Sequence, residues 1–558
     1  MSGKPGAFNI GQALNEAVAA QRAGQLREAE KIYGRVLKAA PENFDALNLL
    51  GAVKAQQGHI GEAHRLFSAA VKANPRAAGG WSNLGQSLLA LKRGEEALEC
   101  LDKARALGPD DVNILSQHAN ALLGLGRPRE ALAEFQAVLA RMPQHVEART
   151  NCGLAQAALG NPDLALAEFD QALALAPGHP LVQYNRGVAL LKLGRDADAL
   201  VANDAVLAAA PEHLAALLNR GKALGQLNRL DEAIASYEKA LTLHKDFADA
   251  HFNMALALLT RGNYRRGFAD YEWRWRRTGM PAQKSRGRRL WQGEYPLAGK
   301  TVLLHAEQGL GDTIQFARYV PLIAAGGAKV VLEVQSELKA LMGNLAGATK
   351  VIEPDETPPP FDVHCPLGSL PLALETELAS VPAQIPYLAA DETRLAKWTA
   401  RLGAAARPRI AIAWAGNASH HNDRNRSIAL ARLAPLFAAS ASFISIQREL
   451  RTEDAAALAG QHRITHVGHD LADFSDTAAV LDLCDLVIAV DTAAAHLAGA
   501  MGRPVWVLLP FAPDWRWTLH GETTPWYPNA RLFRQAAPGD WGGVIARVGA
   551  ELAQFLPA

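Results

Sequence analysis

At 558 residues, 49% of them apolar and 20% charged, the chain is too long for one ordinary core and reads as a globular protein of two to four domains. A formal net charge of +1 excludes a general attraction to nucleic acid or to an anionic membrane. No apolar run reaches the roughly 18 residues of a membrane span, and MSGKPGAFNIGQ lacks the apolar core of a signal peptide. The expectation is a cytoplasmic protein, without a transmembrane segment, that touches a membrane at most peripherally.

The first half repeats. Prolines stand at 41, 75, 109, 143, 177 and 211, each 34 residues after the last. Gly51, Gly85, Ala119, Gly153, Gly187, Gly221 and Ala255 keep the same period, as do the alanines from Ala29 to Ala233. Gly24, Gly58, Gly126, Gly160, Gly194 and Gly262 form a third series at turn positions. That period matches the tetratricopeptide repeat, a pair of antiparallel helices in which small residues permit close contact and proline stops the second helix. Eight units are expected over residues 10–278.

Asn83, Asn151, Asn185, Asn219 and Asn253 share one position on the first helix of their repeats, with Gln117 filling the gap. That register faces the concave groove, where a column of amides offers donors and acceptors to an extended peptide. Asparagine is also common there for structural reasons, so two readings stand. The column is similar to the asparagine ladder of O-linked N-acetylglucosamine transferases.

Residues 279–298 read as a joint. The surrounding stretch, FADYEWRWRRTGMPAQKSRGRRLWQGEYP, mixes tryptophans with arginines; such mixtures stack on nucleic acid or pack domains together, and packing is the reading taken. Strands and helices then alternate. TVLLH, KVVLEV, TKVIE and DVHCP belong to a first α/β lobe, 299–390. RIAIAWAG, FISIQ, ITHVG, LVIAV and VWVLL belong to a second, 405–558. Such alternation predicts two parallel sheets with a cleft between the lobes.

The first lobe opens with HAEQGLGDTIQFARY, in which Gly309 and Gly311 allow a tight strand-to-helix turn. Asp312 follows, either as a helix cap or as a general base aimed into the cleft. The second lobe opens with WAGNASHHNDRNRSI, which gathers Asn417, His420, His421, Arg424 and Arg426. Forked guanidinium groups suit a diphosphate. The histidine pair has no third ligand at regular spacing, and the scattered Cys100, Cys152, Cys365 and Cys484 form no CxxC pair, so no metal is expected. Gln447, like Asn417, is a candidate for the nucleotide or sugar. Asp473 and Asp476 read as caps. Trp515, Trp517, Trp526 and Tyr527, with Arg516, read as packing rather than as a stacking platform.

The most telling stretch is LVIAVDTAAAHLAGAMGRPVWVLLP, 486–510. A strand ends at Asp491-Thr492, and a small-residue helix begins at Ala493 with His496 one turn in. Such a helix start presents amides and a partial positive charge to phosphate.

Residues 299–550 together resemble the family of ADP-heptose:lipopolysaccharide heptosyltransferases, metal-independent glycosyltransferases of the two-lobed GT-B type. Together with the repeats, which make an α-solenoid, the resemblance implies a GT-B-like pair of Rossmann-type lobes, with a nucleoside-diphosphate sugar as substrate and no cofactor. It assigns Asp312 as base, and Arg424 or Arg426 with Asp491, Thr492, Ala493 and His496 to the leaving diphosphate. The first lobe is short for that family, and the cation is arginine where the family has lysine. With so short an acceptor lobe, the repeats are expected to present a protein or peptide acceptor. A glycan acceptor with the repeats as scaffold, and a catalytically inactive scaffold, are the alternatives.

Overall fold

The computed structural model describes residues 8–279, 287–403, 408–420 and 422–555. The chain divides into two compact units, residues 1–219 and 220–558.

The first unit is a stack of helix pairs. A helix of 13 residues alternates with one of 14, from Ile10–Arg22 and Leu26–Ala39 to Val146–Ala158 and Pro162–Leu175, and the pair Pro180–Leu193 and Asp196–Ala209 has 14 in each. The small-residue series lies where one helix of a pair admits a large side chain of the other. A methyl on Gly51 would sit 2.6 Å from the Phe67 ring, one on Gly85 2.7 Å from Leu101 and one on Gly153 2.4 Å from Phe169. Each proline follows the residue that ends a second helix, as Pro41 follows Ala40 and Pro75 follows Asn74. The turn register needs left-handed backbone, and where glycine is missing Lys92 adopts it at φ 60°.

The second unit begins inside the repeats. Helices Ala248–Thr260 and Tyr264–Tyr271 share one hydrophobic core with the α/β part, and the 3-10 turn Glu272–Arg276 follows them. Two parallel sheets follow. The first contains β1 (Arg289–Leu290), β2 (Thr301–His305), β3 (Lys329–Glu333), β4 (Ala348–Ile352) and β5 (Val363–Pro366), in the order β1-β5-β2-β3-β4. The second contains β6 (Arg409–Ala413), β7 (Ser442–Ser445), β8 (Ile464–His466), β9 (Leu486–Val490), β10 (Val505–Leu509) and β11 (Ala530–Arg534), in the order β11-β10-β9-β6-β7-β8. β6 and β9 are wholly buried and, but for Arg409 at the start of β6, apolar, as a central parallel sheet demands. Chain order reverses beside β2 in the first sheet and between β6 and β9 in the second. Such points open a crevice at the carboxyl ends of the strands.

The helix Glu392–Leu402, between the two expected lobes, packs on Phe474–Asp482 of the second. Trp398 Nε1 donates to the buried Asp476 at 2.9 Å. Asp473 caps its helix by accepting from Ser475 and Asp476 amides at 2.9 and 3.0 Å. Asp476 itself is a buried anchor: it accepts from the Ala472 amide, Trp398, Lys397 and Arg394.

The described tryptophans around the joint are packed. Trp273 stacks on His251 with centroids 4.0 Å apart, and Trp291 is buried. Trp515, Trp517, Trp526 and Tyr527 are buried too, and Trp526 Nε1 donates to the hydroxyl of Tyr264, from the last repeat, at 2.9 Å. All four cysteines are buried thiols. Among the described residues no helix is long and apolar enough to cross a membrane.

Candidate functional site

The carboxyl ends of the two sheets carry two strand-to-helix turns that meet. After β2 the chain enters the helix Leu310–Phe316, with Gly309 at its cap. After β9 it enters the helix Ala493–Ala500, with Thr492 at its cap. A methyl on Gly311 would lie 2.9 Å from His496 Cδ2, so only glycine lets the two helices come this close.

Asp312 faces back along its own helix. Its Oδ2 accepts from the Gly309 amide at 3.0 Å, and its Oδ1 accepts from Arg516 Nη2. Arg516 also donates to Asp514 Oδ1 at 2.9 Å and, through Nε, to Gln315 Oε1. Burial raises the Asp312 carboxyl above its ordinary range; the Arg516 charge opposes this and Asp514 adds to it. Burial works against the Arg516 charge, yet Asp514 and Asp312 hold that guanidinium protonated. Asp312 keeps 24% of its side chain exposed and remains open to a substrate.

The second turn is built differently. Thr492 makes no side-chain cap, and its hydroxyl donates to the Val490 carbonyl at 3.3 Å, leaving the start of the following helix without a side-chain acceptor among the described residues. Burial, with Asp514 close by, raises Asp491. His496 is buried and stacked on Trp517, and its Nδ1 is 3.0 Å from the Tyr527 hydroxyl. Burial first, then the charges of Arg516, Arg318 and Arg426, hold it well below the usual imidazole range. It is therefore a neutral ring beneath the turn.

At the reversal between β6 and β9 the two expected arginines part company. Arg426 Nη1 donates to the Asp491 carbonyl at 2.9 Å, and a methyl on Gly416 would lie 2.4 Å from its Nη2. Arg424, on the same short helix Asp423–Arg426, is exposed. Buried Asp423 organises this loop through Ser427 and Arg451. Asn417 is exposed and accepts from Ser419 N and Oγ, both at 2.8 Å. Gln447 is buried, and its amide is spent on the main chain: it accepts from Trp414 and Ala415 at 3.1 Å and donates to Ala415 and Glu449. In this structure it shapes the loop. His420 is exposed, and His421 lies outside the described residues. Among the described residues no three of His, Cys, Asp or Glu are placed to hold a metal.

A second cluster, which the sequence did not single out, fills the reversal point of the first sheet. Glu307 Oε1 accepts from the Gly368 amide and from Arg274 Nη2, each at 3.1 Å. Arg274 comes from the turn after the last repeat and also donates to Ser369 Oγ at 2.8 Å. Tyr271 donates to Gln308 Oε1 at 2.9 Å. Burial pushes Glu307 up to about 7, against the pull of Arg274 and with a further push from Asp312. The only local signal was Glu307's place in the AEQGLGD turn; its partners are 33 and 61 residues away.

In the first unit the amide column runs along the first helices of the repeats. Asn83 donates to Asn48 at 3.0 Å and Asn151 to Asn120 at 2.8 Å, each bond linking neighbouring repeats. Gln117 accepts from Ser82. Asn219 is buried, and Asn185 Nδ2 is buried without an acceptor among the described residues. In the second unit Asn253 donates to its own helix, at the Asp249 carbonyl, 2.7 Å away.

Comparison with known proteins matches these parts. Tetratricopeptide-repeat profiles match residues 20–78, 53–112, 116–180, 153–213 and 221–262. The glycosyltransferase family 9 (heptosyltransferase) profile matches 446–538, a span that holds the Asp491 turn and Arg516 but not Asp312 or Arg426. Protein FlbA of Caulobacter vibrioides is 28% identical over 343 residues, which are 56% of this chain and 56% of that protein. The chain thus spans little more than half of that relative's length. A tetratricopeptide repeat protein from Parabacteroides merdae is 18% identical over 45% of this chain and 98% of its own, with a TM-score of 0.37. One from Thermus thermophilus is 25% identical over 33% of this chain and 100% of its own, at 0.28. The chain joins tetratricopeptide repeats to a carboxyl-terminal domain of glycosyltransferase family 9, the heptosyltransferase family.

Proposed function

We propose that the protein moves a sugar from a nucleoside-diphosphate donor to a hydroxyl of a polypeptide held by the repeats, without a metal and with inversion at the sugar. One observation carries the reading: a carboxylate turn and an uncapped helix start are pressed together at Gly311 and His496. Asp312 takes the proton of the acceptor hydroxyl. That oxygen forms its bond to the anomeric carbon as the bond to the diphosphate oxygen breaks, and the nucleoside diphosphate departs. Attack from the side opposite the leaving group inverts the centre.

The Thr492 and Ala493 amides, with Arg426, receive the charge that develops on the diphosphate. Donors fixed in advance at such a position are usually the largest contribution to catalysis. Asp491 supplies the carbonyl that orients Arg426, and Arg424 lies at the exposed edge of that loop. The guanidinium and the helix start supply the positive charge for which other transferases use a cation. The amide column from Asn83 to Asn219 binds the polypeptide through its backbone.

The test is calorimetric titration of the full chain with ADP-, UDP- and GDP-sugars, followed by transfer assays. One of the three is expected to bind, and Asn83→Ala with Asn151→Ala is expected to reduce transfer to a polypeptide while donor affinity stays. Failure of all three donors to bind at millimolar concentration favours an inactive scaffold. Undiminished transfer to a purified glycan by the double variant favours a glycan acceptor; the amide–amide bonds between repeats are the observation on that side.

A further inference from the structure

We propose that Glu307 binds a hydroxyl of the acceptor, in a subsite at the reversal point of the first sheet that Tyr271 of the last repeat and Arg274 of the turn after it complete. The proposal rests on the glycosyltransferase reading above and adds a residue to it.

The place is the first argument. Glu307 follows β2 in the turn that also carries Asp312, and it reaches Gly368 beyond the end of β5, the neighbouring strand. Ligands of open parallel sheets collect at such a reversal. A group bound there lies beside the carboxylate assigned as base.

The construction is the second. One carboxylate oxygen, Oε1, is fixed by the Gly368 amide and by Arg274. The other accepts no hydrogen bond among the described residues. A methyl on Gly368 would lie 2.5 Å from Glu307 Oε1 and 3.1 Å from Gln308 Nε2, so only glycine leaves this carboxylate its position. The Arg274 guanidinium is itself more than nine-tenths buried, and its Nε finds no acceptor among the described residues.

The energetics are the third. A buried ion pair is a poor way to stabilise a joint, because desolvating two charges cancels most of their attraction. Apolar packing already fastens the last repeat here, through Tyr264, Phe268 and Trp515. A carboxylate kept under these conditions, with one oxygen held and the other unspent, fits ligand binding better than it fits a clamp. A hydroxyl donates one hydrogen bond to that oxygen, whether it comes from a serine or threonine side chain or from a sugar.

The experiment uses the full chain and the donor found by titration. The hydroxyl probes are N-acetylserine amide and methyl glucoside, and nucleoside diphosphate release is read against acceptor concentration. Glu307→Gln keeps the shape of the side chain and removes its charge. It is expected to raise the KM of the preferred probe by roughly tenfold or more, the worth of one hydrogen bond to a charged group, with a smaller change in kcat. Asp312→Asn is expected to do the reverse. Preference between the probes shows which source the subsite serves. Wild-type KM in a folded Glu307→Gln overturns the proposal. If that variant does not fold, Glu307→Asp, which keeps the charge but shortens the reach, decides: raised KM supports the subsite and unchanged KM overturns it. Absence of donor binding in the wild type overturns the glycosyltransferase reading itself, and the subsite with it.

Discussion

The two turns that meet at Gly311 and His496 have the same architecture and opposite chemistry. Each leads from a buried parallel strand into a short helix, and each carries an aspartate. In the first, Asp312 folds back on the Gly309 amide and closes the helix start with its own carboxylate. In the second, Asp491 precedes the cap, the Thr492 hydroxyl turns to the Val490 carbonyl, and no side chain among the described residues closes the helix. One turn presents negative charge and the other unpaired donors. A displacement that needs a base on one side and a leaving-group cradle on the other needs that asymmetry.

The largest expected effect removes the base from the first turn. Asp312→Asn should lower the rate of transfer by about 10²- to 10⁴-fold, the usual worth of a general base, while donor affinity holds. The substitution also turns an acceptor into an NH₂ facing the Gly309 amide or Arg516, at a stability cost of about 1–3 kcal/mol. A thermal midpoint should therefore accompany the kinetics. Unchanged turnover would take Asp312 out of the mechanism.

The same turn should also carry a pH dependence. Glu307 titrates at about 7 in the fold against an ordinary 4.5. Below 4.5 it is protonated in both folded and unfolded chains and costs nothing. As pH rises from 4.5 to 7 the unfolded chain ionises first, and stability is lost. The full loss is about 3 kcal/mol, complete above the folded value. Asp312 and Asp491 are displaced in the same direction, so the measurement is the difference in denaturant midpoint between wild type and Glu307→Gln. That difference should move against the wild type across this window; a flat difference would deny the buried charge.

Repetition and buried apolar runs were legible in the sequence, because each signal is local or recurs. The Gly51, Gly85 and Gly153 series shows one contact repeated every 34 residues. The central strands, such as TVLLH, LVIAV and VWVLL, announced themselves as apolar runs, which the fold buries. Two edge strands did not: β1 is a two-residue Arg-Leu pair, and β11, ARLFR, carries half-buried arginines at its second and fifth positions. The site was half legible. Asp312, Asp491 and Thr492 stand at turns whose chemistry is written in adjacent residues. Arg516 clasps Asp312 from 204 residues away, and Arg274 reaches Glu307 from a stretch whose tryptophans and arginines read only as joint packing. No local pattern encodes such pairings.

A smaller effect probes the contact between the turns. Gly311→Ala places a methyl 2.9 Å from a buried imidazole held by Tyr527 and Trp517. The ring cannot swing aside, so the two helices must separate. The expected cost is about 1–3 kcal/mol, read as a lowered thermal midpoint, with a loss of transfer because base and cradle move apart. A variant as stable as the wild type would mean that the contact tolerates more space than the structure provides.

The smallest effect on stability tests the asymmetry itself. Thr492→Asp gives the second turn what the first one has, a carboxylate that accepts from its own helix start. Capping of this kind stabilises a helix by about 1 kcal/mol, and the neighbouring Asp491 offsets part of that gain through like charge. The amides meant for the diphosphate are then occupied, and a negative charge stands where the leaving group must sit. Donor affinity should fall by roughly tenfold or more, the equivalent of about 1.4 kcal/mol, while the thermal midpoint stays level or rises. Stability and binding moving in opposite directions cannot come from general damage to the fold. Donor affinity equal to the wild type in this variant would show that the open helix start is not the cradle, and the difference between the two turns would lose its functional meaning.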